Sequence, residues 1–339
     1  MNCTYLITGG AGFIGSHLAE ALVARGDSVI AVDNLSTGSL GNIDGLIGHS
    51  RFRFVQASVL DGLAVDDAVR QADVVVHLAA AVGVKLIVDQ PLRSLTTNIR
   101  GSEIVLEAAH RYRRKVLIAS TSEIYGKAEG PFTETTDRVL GTPSVARWAY
   151  SVAKSVDEIL AFAYHKERGL PTVIVRLFNT VGPRQSPAYG MVVPRLVRQA
   201  VAGEALTVHG DGTQTRCFCH VADVVRALMG VLDDQRAEGD VFNVGSTEEV
   251  SIGQLADRII ERTGRASAIT LIPYEEAYEA GFEDMRRRVP DTSKLRQLTG
   301  WEPTFCLDEI LDETIAEART GLEAADVGVG HRHLAPART

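Results

Sequence analysis

The chain has 339 residues, a formal net charge of −8, 45% hydrophobic residues and 23% charged residues. This length accommodates either one extended α/β unit or two lobes, and the composition is typical of a globular protein. The negative charge argues against a nucleic-acid surface, because the only basic block is the short Arg286-Arg287-Arg288.

Cysteine usage and hydropathy predict a cytoplasmic protein without a metal centre. The four cysteines form no C-x-x-C pair and no zinc-binding spacing, which indicates reduced thiols. The longest apolar run, residues 74–84, is interrupted by His77 and is too short to cross a bilayer. Met1 leads almost directly into an apolar run, so we expect neither a targeting segment nor a membrane segment.

The first predicted unit is a strand, a glycine turn and a helix. A short apolar run, residues 5–7, precedes Gly9, Gly12 and Gly15, and a helical pattern follows them. Glycines at this spacing permit a tight turn and bring backbone N–H groups of a helix N-terminus against a pyrophosphate. The pattern therefore predicts a dinucleotide site.

A carboxylate at the end of the second predicted strand indicates which dinucleotide binds. The apolar run 28–32 ends in Asp33. A carboxylate there accepts hydrogen bonds from both ribose hydroxyls and repels a 2′-phosphate, which favours NAD over NADP.

Strand and helix patterns then alternate up to about residue 180. The predicted strands are 52–56, 73–78, 115–120 and 172–177, and the predicted helices are 63–71, about 91–110 and 149–168. This alternation predicts an α/β fold with a Rossmann-type doubly wound parallel sheet.

Beyond residue 180 the alternation loosens, with loops at 182–183 and 210–212 and helical patterns at 193–201 and 251–263. We therefore expect a NAD-binding domain over 1–180, to which some later segments return. A smaller C-terminal substrate-binding lobe is expected over 181–320, and a flexible tail over 321–339.

The residues suited to chemistry are concentrated between positions 120 and 154. A hydroxyl-rich segment, 120–126, follows the predicted strand, and Tyr150 and Lys154 share one helix face at i and i+4. A neighbouring ammonium and a positively charged nicotinamide both favour the phenolate form of tyrosine. Tyr150 is thus predicted to take a proton from a substrate alcohol while hydride passes to NAD.

These motifs together resemble the extended short-chain dehydrogenase/reductase family, over nearly the whole chain to about residue 320. The matching segments are Thr8 to Gly15, Asp33-Asn34-Leu35, His77-Leu78-Ala79-Ala80, Asn98, Ser120 to Gly126, Tyr150 to Lys154, Arg176-Leu177-Phe178-Asn179, and Arg216 to Asp223. Within that family the chain resembles the nucleotide-sugar 4-epimerases, decarboxylases and dehydratases.

The resemblance implies a set of site residues for each role. Expected at NAD are Gly9, Gly12, Phe13, Ile14, Gly15, Asp33, Asn34, Ser36, Thr37, Gly38, Ser58, Val59, Leu78, Ala79, Ala80, Asn98, Tyr150 and Lys154. Expected in catalysis are Tyr150, Lys154, Thr121, Ser122 and Glu123. Expected at the nucleotide sugar are Lys85, Thr121, Asn179, Arg184, Val193, His209, Arg216 and Arg288.

Several of these roles are specific. The resemblance implies that Thr121 hydrogen-bonds the sugar 4-hydroxyl, and that Asn179 and Arg216 contact the nucleotide diphosphate. A guanidinium suits a diphosphate because it offers two donors to phosphate oxygens. At the adenine, Ser58 stands where the family often carries an aspartate.

The type of reaction is decided after the sugar has been oxidised at C4. The loop 182–186 resembles that of enzymes acting on UDP-glucuronic acid, with Arg184 at the C6 carboxylate. The oxidised uronic acid is a β-keto acid, so it either loses CO2 or is reduced again on the opposite face.

Single residues in these motifs favour or disfavour each of the possible reactions. Glu123 matches the decarboxylases and dehydratases, where a carboxyl assists proton transfer at C5. Ser122 departs from the aspartate of the dehydratases. The insert between Tyr150 and Lys154 departs from the acidic, glycine-containing insert of the decarboxylases. We therefore expect a UDP-glucuronic acid 4-epimerase, with a UDP-glucuronate decarboxylase or a UDP-glucose 4-epimerase as alternatives.

Two further expectations concern assembly and activity. Apolar positions on the helices near 91–110 and 149–168 predict a homodimer joined through a four-helix bundle. A non-catalytic, dinucleotide-sensing scaffold is the alternative from another functional class, but such a protein would lose Tyr150 or Lys154, and this chain keeps both.

Overall fold

A seven-stranded parallel sheet forms the centre of the protein. The computed structural model describes residues 2–83, 89–145, 148–187, 191–277 and 285–330. In chain order the strands of this sheet are Thr4–Thr8 (β1), Ser28–Asp33 (β2), Phe52–Gln56 (β3), Val74–His77 (β4), Lys115–Thr121 (β5), Thr172–Leu177 (β6) and Asp240–Val244 (β11). Their spatial order is β11-β6-β5-β4-β1-β2-β3. The predicted α/β doubly wound fold is confirmed.

The remaining elements cover the sheet or form the smaller lobe. The helices are Phe13–Arg25 (α1), Gly62–Gln71 (α2), Pro91–Tyr112 (α3), Ala149–Arg168 (α4), Val192–Ala202 (α5), Val221–Asp233 (α6), Ile252–Thr263 (α7), Tyr274–Ala277 (α8), Ser293–Thr299 (α9) and Leu307–Gly330 (α10). The short strands are Thr180–Val181 (β7), Leu206–His209 (β8), Thr215–Cys217 (β9), Cys219–His220 (β10), Glu249–Ser251 (β12), Ile269–Ile272 (β13) and Arg287–Arg288 (β14).

Helices bury both faces of the sheet, which explains its near-continuous apolar strands. One apolar core lies between the sheet and α1, α6 and α9. A second lies between the opposite face and α2, α3 and α4. Because all seven strands run parallel, their carboxyl ends meet at one edge, where Thr8 pairs with His77 and Thr121 with Leu177. Ligands of such sheets bind at that edge.

The smaller lobe has its own core, built from α5, α7 and α10 over short strands. Helix α7 begins at Ile252 because Ser251 and Gln254 form a reciprocal capping box. The predicted loop at 210–212 is a turn in which Gly210 and Gly212 both have positive φ. Among the helices of the described ranges, none combines the length and apolar character needed to cross a bilayer.

The structure differs from the sequence analysis mainly after residue 180. The edge strand β11 and the helix α6, neither of them predicted, return to the central sheet from beyond that point. The backbone is helical from Leu307 to Gly330, and residues 331–339 of the predicted flexible tail lie outside the described residues.

A buried ion pair joins α4 to the centre of the sheet. Arg176 of β6 donates to Glu158 of α4 through Nε at 2.9 Å and Nη2 at 2.8 Å, and both side chains are less than a tenth exposed. Ser120 of β5 donates to the same carboxylate at 2.5 Å. The pair therefore fixes α4 against the ends of two neighbouring strands.

We expect Glu158→Ala to lower the free energy of unfolding by about 3–5 kcal/mol, because it leaves the Arg176 guanidinium buried without its carboxylate. Urea unfolding followed by circular dichroism measures the loss. The double variant Glu158→Leu/Arg176→Met is the control and should recover much of it. A single variant within about 1 kcal/mol of the wild type would contradict this account of the pair.

Candidate active site

A cavity of about 730 Å³ opens at the carboxyl edge of the sheet. The glycine turn after β1 and the ends of β2, β4 and β5 form one part of its wall. The other part comes from α4, from the loop after β6 and from the start of α5. The cavity thus joins the predicted cofactor residues to residues of the smaller lobe.

The glycine turn has no space for a side chain at Gly9 or at Gly15. A Cβ on Gly15 would lie 2.1 Å from the Gly9 carbonyl oxygen, and one on Gly9 would lie 2.9 Å from the Ala79 nitrogen. Gly9 also has a φ of +74°, which glycine adopts at no steric cost. No side chain caps α1 at Gly12, so its first-turn N–H groups remain for an anion. These features fit a dinucleotide pyrophosphate.

Asp33 is held in place at the cavity wall. Its Oδ2 accepts from the Ala11 nitrogen at 3.1 Å and its Oδ1 from the Leu35 nitrogen at 2.8 Å. Burial raises the pKa of this carboxyl, while backbone N–H donors oppose the rise. The carboxylate is thus oriented where the sequence places the ribose acceptor.

Most of the residues predicted at NAD line this cavity. They are Gly9, Gly12, Phe13, Ile14, Gly15, Asp33, Asn34, Ser36, Thr37, Ser58, Val59, Leu78, Ala79, Ala80, Tyr150 and Lys154.

Two of the predicted NAD residues support the wall instead of lining it. A Cβ on Gly38 would lie 2.9 Å from the Asp33 carboxylate, so Gly38 lets this loop pack closely on Asp33. Asn98 accepts from the Ala81 nitrogen at 2.8 Å and donates to the Ala81 oxygen at 3.2 Å. Being buried on α3, Asn98 holds the loop after β4 from behind, and its predicted place at NAD stays a prediction.

The catalytic candidates meet at one part of the cavity. Tyr150 and Lys154 project from the first turns of α4, and Thr121, Ser122 and Glu123 follow β5. All five line the cavity and all but Glu123 are buried. The structure thus brings together the residues predicted for catalysis.

The electrostatics around the tyrosine differ from the prediction. Burial raises the pKa of Tyr150 well above its usual range, and the carboxylates of Glu123 and Asp157 raise it further. The Lys154 ammonium donates to Asp157 Oδ2 at 2.8 Å. The sequence analysis treats this ammonium as acting on the phenol alone and misses Asp157, although its place three residues after Lys154 is visible in the sequence.

A second charged pair lies at the same cavity. Arg288 of β14 approaches Glu123 with Nη1 at 3.5 Å from Oε1, and it also donates to the Asn179 side chain. The Arg288 and Glu123 side chains are only 11% and 14% exposed. Arg216 of β9 stands opposite Arg288 in the register of two parallel strands, so the two arginines lie side by side.

Arg184 is occupied by contacts with α1. Its Nη2 lies 2.8 and 2.9 Å from the two carboxylate oxygens of Glu20, and its Nη1 lies 3.3 Å from Ser16 Oγ. Its backbone nitrogen donates to Glu317 at 2.6 Å, and its φ of +70° is rare for a side-chain-bearing residue. Arg184 lines the cavity, but in this structure it clamps the loop to α1, because Glu20 already supplies the carboxylate that Arg184 is predicted to find on the sugar.

Of the other residues predicted to bind the nucleotide sugar, two line the cavity and two do not. Asn179 and Val193 line the cavity. Arg216 and His209 do not, and His209 has its pKa lowered to about 4 by burial and by Arg195. Lys85 lies outside the described residues.

The cavity also contains polar residues that the sequence analysis misses. Arg93 and Thr97 reach it from the start of α3. Isolated polar residues at a helix start carry no motif, so only the folded chain assigns them to the site.

Comparisons with known proteins agree with this arrangement. The family described as GDP-mannose 4,6 dehydratase matches residues 6–314. A UDP-N-acetyl-alpha-D-glucosaminuronate decarboxylase of Bacillus cytotoxicus is 42% identical over 311 residues, which cover 91% of this chain and 96% of that protein. UDP-glucuronic acid decarboxylase 6 of Arabidopsis thaliana is 37% identical over 310 residues, covering 91% of this chain and 86% of the plant protein.

Among solved structures, a UDP-glucuronic acid 4-epimerase of Bacillus cereus in complex with UDP-glucuronic acid and NAD is similar to this chain. It superposes with a TM-score of 0.85 at 30% identity, covering 94% of this chain and 99% of the epimerase. Decarboxylases and an epimerase thus share one fold with this chain, and the family to which they belong is NAD-dependent, as predicted. The chain belongs to the GDP-mannose 4,6 dehydratase family, the nucleotide-sugar dehydratases and epimerases of the extended short-chain dehydrogenases/reductases.

Proposed function

We propose that this protein is an NAD-dependent decarboxylase of a UDP-linked hexuronic acid. The observation that carries the proposal is the Glu123–Arg288 pair, 3.5 Å apart and nearly buried at the cavity that also contains Tyr150. The decarboxylase relatives, at 42% and 37% identity over most of the chain, support it. This replaces the 4-epimerase favoured in the sequence analysis.

The chain's own residues fit NAD at the turn after β1. Gly9, Gly12 and Gly15 would accommodate the pyrophosphate, and Asp33 would accept from the adenosine ribose. When bound, NAD supplies a hydride acceptor for the sugar C4 carbon and later returns the hydride. Arg216 does not line the cavity itself but stands beside Arg288 in the strand register, and it is suited to the diphosphate of the nucleotide sugar.

Oxidation at C4 requires a base, and Tyr150 has that role. The phenol takes the proton of the sugar 4-hydroxyl, which Thr121 orients through a hydrogen bond. Because burial and two carboxylates hold the pKa of Tyr150 high, the positive charges of Lys154 and the nicotinamide are needed to favour the phenolate.

Loss of CO2 requires a proton at C5, which epimerisation does not. The oxidised sugar is a β-keto acid, so its C5–C6 bond breaks, the electron pair moves onto the C4 carbonyl and CO2 leaves. Glu123 then relays a proton taken from solvent water to C5, and Arg288 offsets the negative charge that develops on the enolate. After hydride returns to C4, Tyr150 gives back its proton and a UDP-pentose is released.

A UDP-glucuronic acid 4-epimerase is the second candidate. The structural similarity to the Bacillus cereus enzyme favours it, as does the insert between Tyr150 and Lys154. An epimerase reduces the oxidised sugar on its other face and has no use for a proton donor at C5. We rank it second because the decarboxylase identity extends over 91% of the chain, whereas the insert is three residues.

We also propose a homodimer joined through α3 and α4. Val152, Ile159 and Phe162 lie on one face of α4 and are 43%, 59% and 36% exposed. Leu92 on α3 is 77% exposed. Apolar side chains left in water on two adjacent long helices favour burial against a second copy.

Gly15→Ala should abolish NAD binding, because the new Cβ would lie 2.1 Å from the Gly9 oxygen and distort the turn. Isothermal titration calorimetry with NAD on the cofactor-stripped protein measures the effect, and we expect at least about a hundredfold loss of affinity, near 2.7 kcal/mol. Gly62→Ala is the matched control, because a Cβ there meets nothing within 4 Å. An unchanged affinity of Gly15→Ala for NAD would show that the pyrophosphate does not bind at this turn.

Incubation with UDP-glucuronic acid, and separately with UDP-N-acetylglucosaminuronic acid, should yield a UDP-pentose and CO2 from at least one of them. Product NMR identifies the sugar. Glu123→Gln should lower pentose formation by about 10²–10⁴-fold while single-turnover NADH absorbance still appears. Tyr150→Phe, the control for the first step, should suppress both signals. A UDP-galacturonic acid product formed at full rate by Glu123→Gln would overturn the decarboxylase in favour of the epimerase.

Light scattering at micromolar concentration should give about twice the chain mass of 36.5 kDa. Ile159→Glu should shift the protein to the monomer, because it places a charge in the centre of the apolar face of α4. Exposed Leu63→Glu on α2 is the control and should leave the mass unchanged. A wild-type monomer at this concentration would refute the dimer.

A further inference from the structure

A buried aspartate lies beyond the tyrosine–lysine pair on α4. Tyr150, Lys154 and Asp157 are spaced i, i+4 and i+7, so their side chains share one helix face. Lys154 Nζ donates to Asp157 Oδ2 at 2.8 Å, and the two side chains are 3% and 0% exposed. The Lys154 ammonium, which follows Tyr150 by one helical turn, is therefore one half of an ion pair.

The second oxygen of the Asp157 carboxylate has no hydrogen-bond donor among the described residues. Asp157 Oδ1 is buried and accepts no hydrogen bond within the described part of the chain. Burying a carboxylate is unfavourable unless its charge and its lone pairs are satisfied, so Asp157 is only partly compensated. This unfavourable burial falls beside the residues that move the proton, which indicates a role in the chemistry.

The carboxylates that face the phenol come from two elements. Besides burial, Glu123, after β5, and Asp157, on α4, both raise the pKa of Tyr150. Glu123 is itself paired with Arg288 of β14, which offsets part of its charge. Asp157 is the carboxylate whose partner is the Lys154 ammonium.

The neighbouring elements β4 and α3 bring no further buried charge to the pair within the described ranges. His77 of β4 is neutral, because burial and the Lys154 charge lower its pKa to about 3, and its ring nitrogens contact Thr8 Oγ1 at 2.8 Å and Ser102 Oγ at 3.1 Å. The buried polar residues of α3 are Ser94, Asn98 and Ser102, which do not titrate.

We propose that Asp157 is a positioning residue for the tyrosine–lysine pair and that its carboxylate acts on the phenol through Lys154. One ammonium proton is directed onto Asp157, which leaves two for the phenol and for a ligand in the cavity. The negative charge of Asp157 opposes that of the ammonium, so the phenol keeps its proton until a positively charged nicotinamide arrives. This inference rests on the oxidation step of the proposed function and is independent of what becomes of the oxidised sugar.

The test is the titration of Tyr150 in the NAD-loaded protein. Ring-labelled tyrosine followed by ¹³C NMR reports each phenol, and the signal lost in Tyr150→Phe identifies Tyr150. In Asp157→Asn we expect the midpoint to fall by about one pH unit, because a buried negative charge near the phenol is removed. Asp157→Glu restores the charge and should return the midpoint toward the wild-type value.

Asp67→Asn is the matched control. Asp67 forms the same i, i+3 ion pair with Arg70, at 2.6 Å on α2, but both side chains are more than half exposed. Its removal should leave the Tyr150 midpoint unchanged. Because the titration uses no sugar, it remains readable whether or not the protein releases CO2 from a UDP-hexuronic acid.

Three results would each overturn the proposal. The first is an unchanged Tyr150 midpoint in Asp157→Asn. The second is an equal shift in Asp67→Asn, which would make the effect one of net charge. The third is the failure of both Asp157→Asn and Asp157→Glu to fold, which would assign Asp157 to stability alone.

Discussion

The buried contact between Glu158 and Arg176 is the constraint on which the rest of the site depends. It ties α4 to β6, and Ser120 extends it to the end of β5. Because the guanidinium binds the carboxylate through two donors, the helix has little freedom to slide or rotate against the sheet. The Glu158–Arg176 pair lies behind the cavity. It thereby sets the distance between the hydroxyls at the end of β5 and the Tyr150 side chain.

In the proposed function, the residues for oxidation at C4 and those around C5 and C6 come from different parts of the fold. The large sheet and α4 carry the glycine turn, Asp33 and Tyr150, which in the proposed function serve the oxidation at C4. The smaller lobe supplies Arg288, which reaches Glu123 from β14, a strand far along the chain. A family in which epimerases and decarboxylases share one fold is expected to differ in this second set of residues, because only the surroundings of C5 and C6 decide whether a proton is delivered there.

Three of the charged residues at the cavity are held in ion pairs. Lys154 is paired with Asp157, Arg288 with Glu123, and Arg184 with Glu20. Inside a protein an unpaired charge is strongly unfavourable, whereas a pair is tolerated and its field largely cancels. An incoming ligand with its own charge, such as a nicotinamide or a diphosphate, therefore has a large effect on a site that is nearly balanced before it binds.

The sequence by itself determined the parts that local patterns encode. The glycine spacing, the apolar strands and the i, i+4 placement of Tyr150 and Lys154 predict the fold class and the catalytic cluster, because each depends on neighbours close along the chain. Tertiary structure alone decided which charges pair over long distances along the chain. Nothing local shows that Arg184 is held by Glu20, or that Arg288 of β14 reaches Glu123, since those partners lie more than a hundred residues apart. The edge strand β11 was also missed, because it lies beyond residue 180, where the strand–helix alternation loosens, and only its pairing with β6 assigns it to the sheet.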